Sequence, residues 1–176
     1  MYVTTALNAF WALLSAYAGS GVQFAGRFEL PPAPAAYRDP VPALPGPLEG
    51  ALRASGVRLY SHQAEVLRLA RAGWDVVLAT PTASGKTLAF CLPVFETLYR
   101  DPGATALFLY PMKALAYDQL AAVRALDEAA GLGLGVAVYD GDTPDASRRQ
   151  IRESSRLVLS NLLLPPNSRM RGGITG

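Results

Sequence analysis

Histidine and cysteine occur once each in the 176 residues, as His62 and Cys91, and lysine only twice, as Lys86 and Lys113. A single cysteine excludes an intramolecular disulfide and a cysteine-rich zinc site, and it agrees with a reducing, cytoplasmic setting. Without a second histidine or a cysteine cluster His62 is no metal ligand, and it reads as a helix-start or packing residue. Cys91, between Phe90 and Leu92, reads as core. No Lys or Arg precedes Arg27, so the apolar run Ala6 to Ala18 lacks the positive leader of a secretory signal. It is also too short to span a bilayer, so the expectation is a helix packed on the domain or on a missing partner surface, with a mistaken start site as the alternative and no membrane partner. Charged residues make up only 17% against 51% hydrophobic, which excludes a disordered chain and supplies one packed core. The net charge of +2 neither demands nor excludes a polyanionic partner.

From Leu30 to Pro47 the sequence is crowded with proline. Proline has no N–H to give to a helix or a central strand, so this stretch is expected to be an extended surface linker. A short helix is expected over Leu48 to Ala54, and another from about His62 to Ala72, with Ser61 as its cap and Gly73 ending it. Strands and helices then alternate. The expected order is strand Val76 to Ala79, helix Lys86 to Tyr99, strand Ala106 to Tyr110, helix Lys113 to Ala130, strand Gly135 to Tyr139, helix Pro144 to Glu153 and strand Leu157 to Ser160. Such alternation implies an α/β fold with a parallel sheet covered on both faces. Pro93 lies inside one of these helices and is expected to bend it. Ligands on parallel sheets bind at the carboxyl ends of strands. The loops Thr80 to Thr87, Pro111 to Lys113, Asp140 to Thr143 and the stretch from Asn161 onward therefore share one edge.

The first of those loops carries the chemistry. Thr80-Pro81-Thr82-Ala83-Ser84-Gly85-Lys86-Thr87 stands between a β-rich run and a helical run. Backbone N–H groups from Ala83 to Thr87, at the positive end of the next helix, form an anion site. Lys86 is placed to reach the β- and γ-phosphates of a nucleoside triphosphate, and the Thr87 hydroxyl to complete the shell of a magnesium ion. The strict pattern has glycine where this chain has Thr80, so the match is a variant.

Three segments taken together carry a family resemblance: Leu59-Tyr60-Ser61-His62-Gln63, the Thr80 to Thr87 loop, and Tyr110-Pro111-Met112-Lys113-Ala114-Leu115-Ala116-Tyr117-Asp118-Gln119. They resemble the superfamily 2 DEAD/DEAH-box helicases, most of all the large bacterial branch of Lhr-like and mitomycin-repair helicases that act on DNA. The resemblance implies a RecA-like ATP-binding domain over residues 59–161. Residues 1–26 are then an apolar extension, 27–58 a linker with a short helix, and 162–176 an irregular tail. It implies ATP and magnesium as cofactors, with Gln63, Thr80, Thr82, Ala83, Ser84, Gly85, Lys86 and Thr87 around the nucleotide. Lys86 and Thr87 are the residues closest to chemistry. Gln63 would read the adenine edge, since an amide offers both a donor and an acceptor, and Tyr60 packs either beside the base or in the core. Nucleic acid, DNA rather than RNA, would be held by Pro111, Lys113, Ala114 and Gln119 in one segment and by Gly141, Asp142, Thr143 and Asn161 in others. Arg148, Arg149, Arg152 and Arg156 read first as a solvated face paired with Glu153.

The likeness stops at Leu162. Nothing from Ser154 to Gly176 is acidic, so the acidic box that the family would place there is not found, and a truncation or frameshift is the expectation. Phosphoryl transfer depends on charge stabilisation from such parts and from a second RecA-like domain. This chain alone is therefore expected to bind ATP but not to turn it over. An alternative is a self-contained P-loop NTPase or small-molecule kinase that uses Asp140 as its magnesium-binding carboxylate. It requires Asp140 to lie near the Thr87 hydroxyl, whereas the helicase reading has it facing the strand-binding loops.

Overall fold

The computed structural model describes residues 34–81 and 84–161, together with residue 12. By its contacts the chain divides into the units Met1–Pro34 and Ala35–Gly176, and the named helices and strands all belong to the second. The expectations for residues 6–18, for Thr82 and Ala83, and for the chain beyond Asn161 lie outside the described residues, apart from residue 12.

The elements run α1 (Gly46–Ala54), α2 (Ser61–Arg71), α3 (Lys86–Arg100), β1 (Ala106–Tyr110), α4 (Lys113–Ala130), β2 (Ala137–Val138), α5 (Asp145–Ser154) and β3 (Leu157–Asn161). The strands form a parallel sheet in the order β1-β3-β2, with Phe108 beside Leu159 and Tyr110 beside Asn161. The inward positions Phe108, Tyr110, Leu157 and Leu159 pack on Leu92 and Phe95 of α3 and on Ala116 and Val123 of α4. Leu92, Phe95, Leu157 and Leu159 are fully buried, and each apolar side chain so removed from water contributes roughly 1.5–3 kcal/mol.

Local chemistry explains the element ends. Pro47 sits in the first turn of α1, where the missing N–H of proline costs no helical bond. At the end of α4, Gly131 takes φ 62, the left-handed conformation that glycine adopts without a Cβ clash. Pro93 sits inside α3, as its sequence position requires, and its carbonyl accepts the Thr97 hydroxyl at 2.9 Å. The proline-rich stretch forms no helix or named strand from residue 34 to residue 45 and bends at Val41 and Pro42. It is held by an antiparallel bridge between Tyr37 and Tyr60 and by Arg71, which donates to the Pro42 carbonyl at 2.5 Å.

Three expectations need correction. Val76 to Ala79 is not a strand, and Val77 is 96% exposed. A strand needs a neighbour to share its hydrogen bonds, and among the described residues none lies beside this one. The sheet is covered on both faces only at β3, whose residues are all buried; on β1, Leu107 and Leu109 are exposed while Phe108 and Tyr110 are buried. The run Gly135 to Tyr139 shortens to Ala137–Val138, since it pairs with β3 on one side only. A smaller difference concerns α2, where Ser61 is the first helical residue and Tyr60 is the cap.

Candidate functional site

Gly85 opens the site. It precedes α3 with φ 75, and a Cβ there would lie 2.5 Å from the Gln63 amide nitrogen. Both facts demand glycine. Gln63 itself is buried, with its side-chain oxygen accepting the Tyr60 N–H at 2.8 Å and its amide nitrogen donating to the Gly85 carbonyl at 2.9 Å. A glutamine amide has two donor hydrogens and two acceptor lone pairs, so one of each remains for a ligand. His62 also reaches this loop, with Nε2 2.9 Å from the Ser84 carbonyl and its ring stacked on Tyr60. The helix-start role expected for His62 thus includes fixing the phosphate loop.

Beside Gln63 is a cavity of about 440 Å³ lined by Tyr37, Arg58, Tyr60, Gln63, Gly85 and Leu88. The rings of Tyr37 and Tyr60 stack at 5.2 Å, and the Arg58 guanidinium lies 4.7 Å from the Tyr37 centroid. Tyr37 was missed in the sequence because it stands in the proline-rich linker, far from any motif. The only available signal is an aromatic residue interrupting that stretch.

In the loop itself, Lys86 donates to the Thr80 carbonyl at 2.5 Å and also to the Pro81 carbonyl, and the Thr80 and Ser84 hydroxyls lie 2.6 Å apart. The ammonium is thus folded back on the carbonyls of its own loop, and an anionic phosphate is a stronger partner for it than a neutral carbonyl. The Thr87 hydroxyl donates to the Gln119 side-chain oxygen of α4 at 2.7 Å. This bond brings the phosphate loop and the Pro111 to Gln119 segment together, as the sequence required. Gln119 is therefore turned toward the Thr80 to Thr87 loop.

At the start of α4, Pro111 and Ala114 are exposed, Lys113 is half-buried, and no side chain caps the first turn. Uncapped N–H groups at a helix N-terminus suit a phosphate. Lys113 pairs with Asp142 from the neighbouring loop, so the two strand-binding candidates are in contact. That loop is internally braced. Asp140 is 1% exposed, and one of its oxygens accepts the Asp142 N–H at 2.9 Å and the Thr143 hydroxyl at 3.2 Å. Burial, and after it the nearby Asp140 carboxylate, raises the Tyr117 phenol above its ordinary value. Arg148 clamps the loop from outside through the Thr143 carbonyl at 2.7 Å and the Gly141 carbonyl at 3.0 Å. Gly141 and Asp142 are exposed, whereas Thr143 and Asn161 are buried. Of the remaining arginines, Arg149 pairs with Glu153 as expected, Arg152 donates to the Tyr139 hydroxyl, and Arg156 donates to the Leu98, Asp101 and Ala104 carbonyls. Arg148 and Arg156 are thus braces within the fold. One Asp140 oxygen is held by its own loop, whereas the other, also buried, has no hydrogen-bond partner among the described residues.

Comparison with known proteins matches the DEAD/DEAH box helicase family over residues 60–163. The chain belongs to that family. Among curated proteins, the helicase YprA of Bacillus subtilis is 37% identical over 115 residues, covering 65% of this chain and 15% of its own. The helicase HRQ1 of Saccharomyces cerevisiae is 38% identical over 104 residues, covering 58% of this chain and 10% of its own. Among solved structures, the helicase MrfA bound to DNA and AMPPNP matches with TM-score 0.73 and 32% identity, covering 85% of this chain and 21% of MrfA. Helicase Lhr of Mycobacterium smegmatis shares the fold at TM-score 0.61 over 70% of this chain and 18% of its own, with 24% identity. The chain thus spans a small fraction of the family members it matches. Its fold is that of a RecA-like helicase domain, and the ATP dependence of its relatives accords with the phosphate loop. No described helix is long and apolar enough to cross a membrane.

Proposed function

We propose that residues 59–161 are the ATP-binding and nucleic-acid-binding part of the first RecA-like domain of an ATP-dependent DNA helicase. The observation that carries this reading is the bond from Thr87 to Gln119, which joins the phosphate loop to the strand-binding segment. Gln63 and the cavity beside it supply a base site, and Lys86 and the first turn of α3 supply the phosphate site. The Tyr37 and Tyr60 rings form an aromatic wall against which a base packs. The likeness to MrfA, solved with DNA and AMPPNP, supports DNA over RNA as the strand.

Magnesium fits one side of this arrangement. The Thr87 hydroxyl gives its proton to Gln119, so its lone pairs are free for a hard cation. No described cluster of three or more His, Cys, Asp or Glu residues competes as a metal cage. A magnesium ion held by Thr87 and by nucleotide phosphates would neutralise phosphate charge. Lys86 adds a second positive charge, and α3 aims its N-terminus at the same anion.

Strand binding rests on Pro111, Lys113 and Ala114 at the start of α4 and on the exposed Gly141 and Asp142. A Cβ at Gly141 would meet nothing within 4 Å, so the fold itself leaves room for a close backbone approach there. With no carboxylate between Ser154 and Gly176, the expected behaviour of these 176 residues alone is ATP binding without turnover. The test is fluorescence anisotropy of a labelled single-stranded oligonucleotide with and without AMPPNP, beside a phosphate-release assay. Binding without release is the expected outcome. Rapid strand-independent hydrolysis by the chain alone would favour a self-contained NTPase.

A further inference from the structure

We infer that Gln119 is a positioning residue for the metal side of the nucleotide site, holding the Thr87 hydroxyl so that its lone pairs face the phosphates. The inference rests on the nucleotide reading of the Thr80 to Thr87 loop. Thr87 lies in the first turn of α3 and Gln119 in the second turn of α4, and each side chain is half-buried. Thirty-two positions separate them in sequence, yet the hydroxyl donates to the amide oxygen at 2.7 Å.

A threonine hydroxyl has one proton and two lone pairs, and its rotor is free unless something fixes it. Giving the proton to Gln119 fixes it and turns the lone pairs away from α4. A hydroxyl that coordinates a cation becomes a better proton donor, so metal binding strengthens the bond to Gln119, and the bond in turn favours the metal. This is how a residue behind a ligand tunes the ligand. The consequence reaches beyond the nucleotide. Six residues before Gln119, on the same helix, Lys113 pairs with Asp142 of the other strand-binding loop. Fixing Gln119 against Thr87 therefore also fixes the helix that presents the strand-binding turn, and by linkage the effect runs both ways.

The test compares the full 176-residue chain with Gln119→Leu and Gln119→Glu. Leucine matches the size but accepts no proton, whereas glutamate keeps the acceptor. Each protein is titrated with a fluorescent ADP analogue, once with magnesium and once with EDTA. Loss of a partner behind a metal ligand typically costs on the order of 10-fold or more in metal affinity. Gln119→Leu is expected to lose a magnesium-dependent gain of that size while its EDTA affinity stays unchanged, and Gln119→Glu is expected to keep the gain. A full magnesium gain in Gln119→Leu would overturn the inference. So would an equal fall with magnesium and with EDTA, which marks a merely structural role, or an equal loss of the gain in both variants. Absence of analogue binding by the unaltered chain would instead overturn the nucleotide reading, and the inference with it.

Discussion

Gln63 reaches across 22 residues of sequence to donate a hydrogen bond to the Gly85 carbonyl at 2.9 Å, and Gly85 can receive it only because it has no side chain. The Gln63 amide and the Thr80 to Thr87 loop are thus one packed unit. Each constrains what the other can become.

Gly85→Ala is expected to fail on two counts. The backbone sits at φ 75, where an L side chain costs about 1–2 kcal/mol, and the new methyl would collide with the Gln63 amide. The variant should melt lower and bind ATP more weakly, with the loss in affinity exceeding that of Ser84→Ala. Thermal melts and nucleotide titration read both effects. Wild-type affinity in Gly85→Ala would contradict the packed unit.

Glu96 gives a pH prediction. It is 4% exposed and bonds Arg71 at 2.8 Å and Arg100 at 2.8 Å. Burial alone would raise its carboxyl, but the bonds to Arg71 and Arg100 outweigh burial and hold it below the ordinary value of 4.5. Because the folded value is depressed, the stabilisation is present above the unfolded value and is lost as pH falls through the folded one. Glu96→Ala leaves Arg71 with only the Pro42 and Ala43 carbonyls and should cost about 1.5–3 kcal/mol near neutral pH, the range for hydrogen bonds to charged groups. It should also flatten the acid limb of a urea-denaturation series taken from pH 6 to pH 3. An unchanged acid limb would remove Glu96 from the account of stability.

Cys91 should be inert in the folded chain. It is 2% exposed, and burial pushes its thiol up to about 12, so thiolate is scarce at neutral pH. A thiol reagent at pH 8 is expected to label Cys91 only as fast as the protein unfolds, and at once in denaturant. Fast labelling of the native chain would place Cys91 outside the core.

Much of the fold was legible because β1 and α4 carry strong local signals. The continuous apolar Ala106 to Tyr110 run and the periodic Lys113 to Ala130 run fall at the bounds that the structure shows. Val76 to Ala79 reads equally well as a strand, yet ladder bonds come from a neighbour and not from a residue's own propensity. In the site, the phosphate loop, Gln63 and the α4 segment were legible because their chemistry is written contiguously. Tyr37, the Thr87 bond to Gln119 and the bracing by Arg148 and Arg156 were not. Each joins residues far apart in sequence or turns a charge inward onto carbonyls, and only the folded backbone brings those partners into contact.

The central claim is that the Thr80 to Thr87 loop grips a nucleotide without cleaving it, and calorimetric titration with ATP and magnesium tests it most directly. The purified chain should bind ATP and release no phosphate, and Lys86→Ala should bind none. Unchanged ATP affinity in Lys86→Ala would contradict the claim.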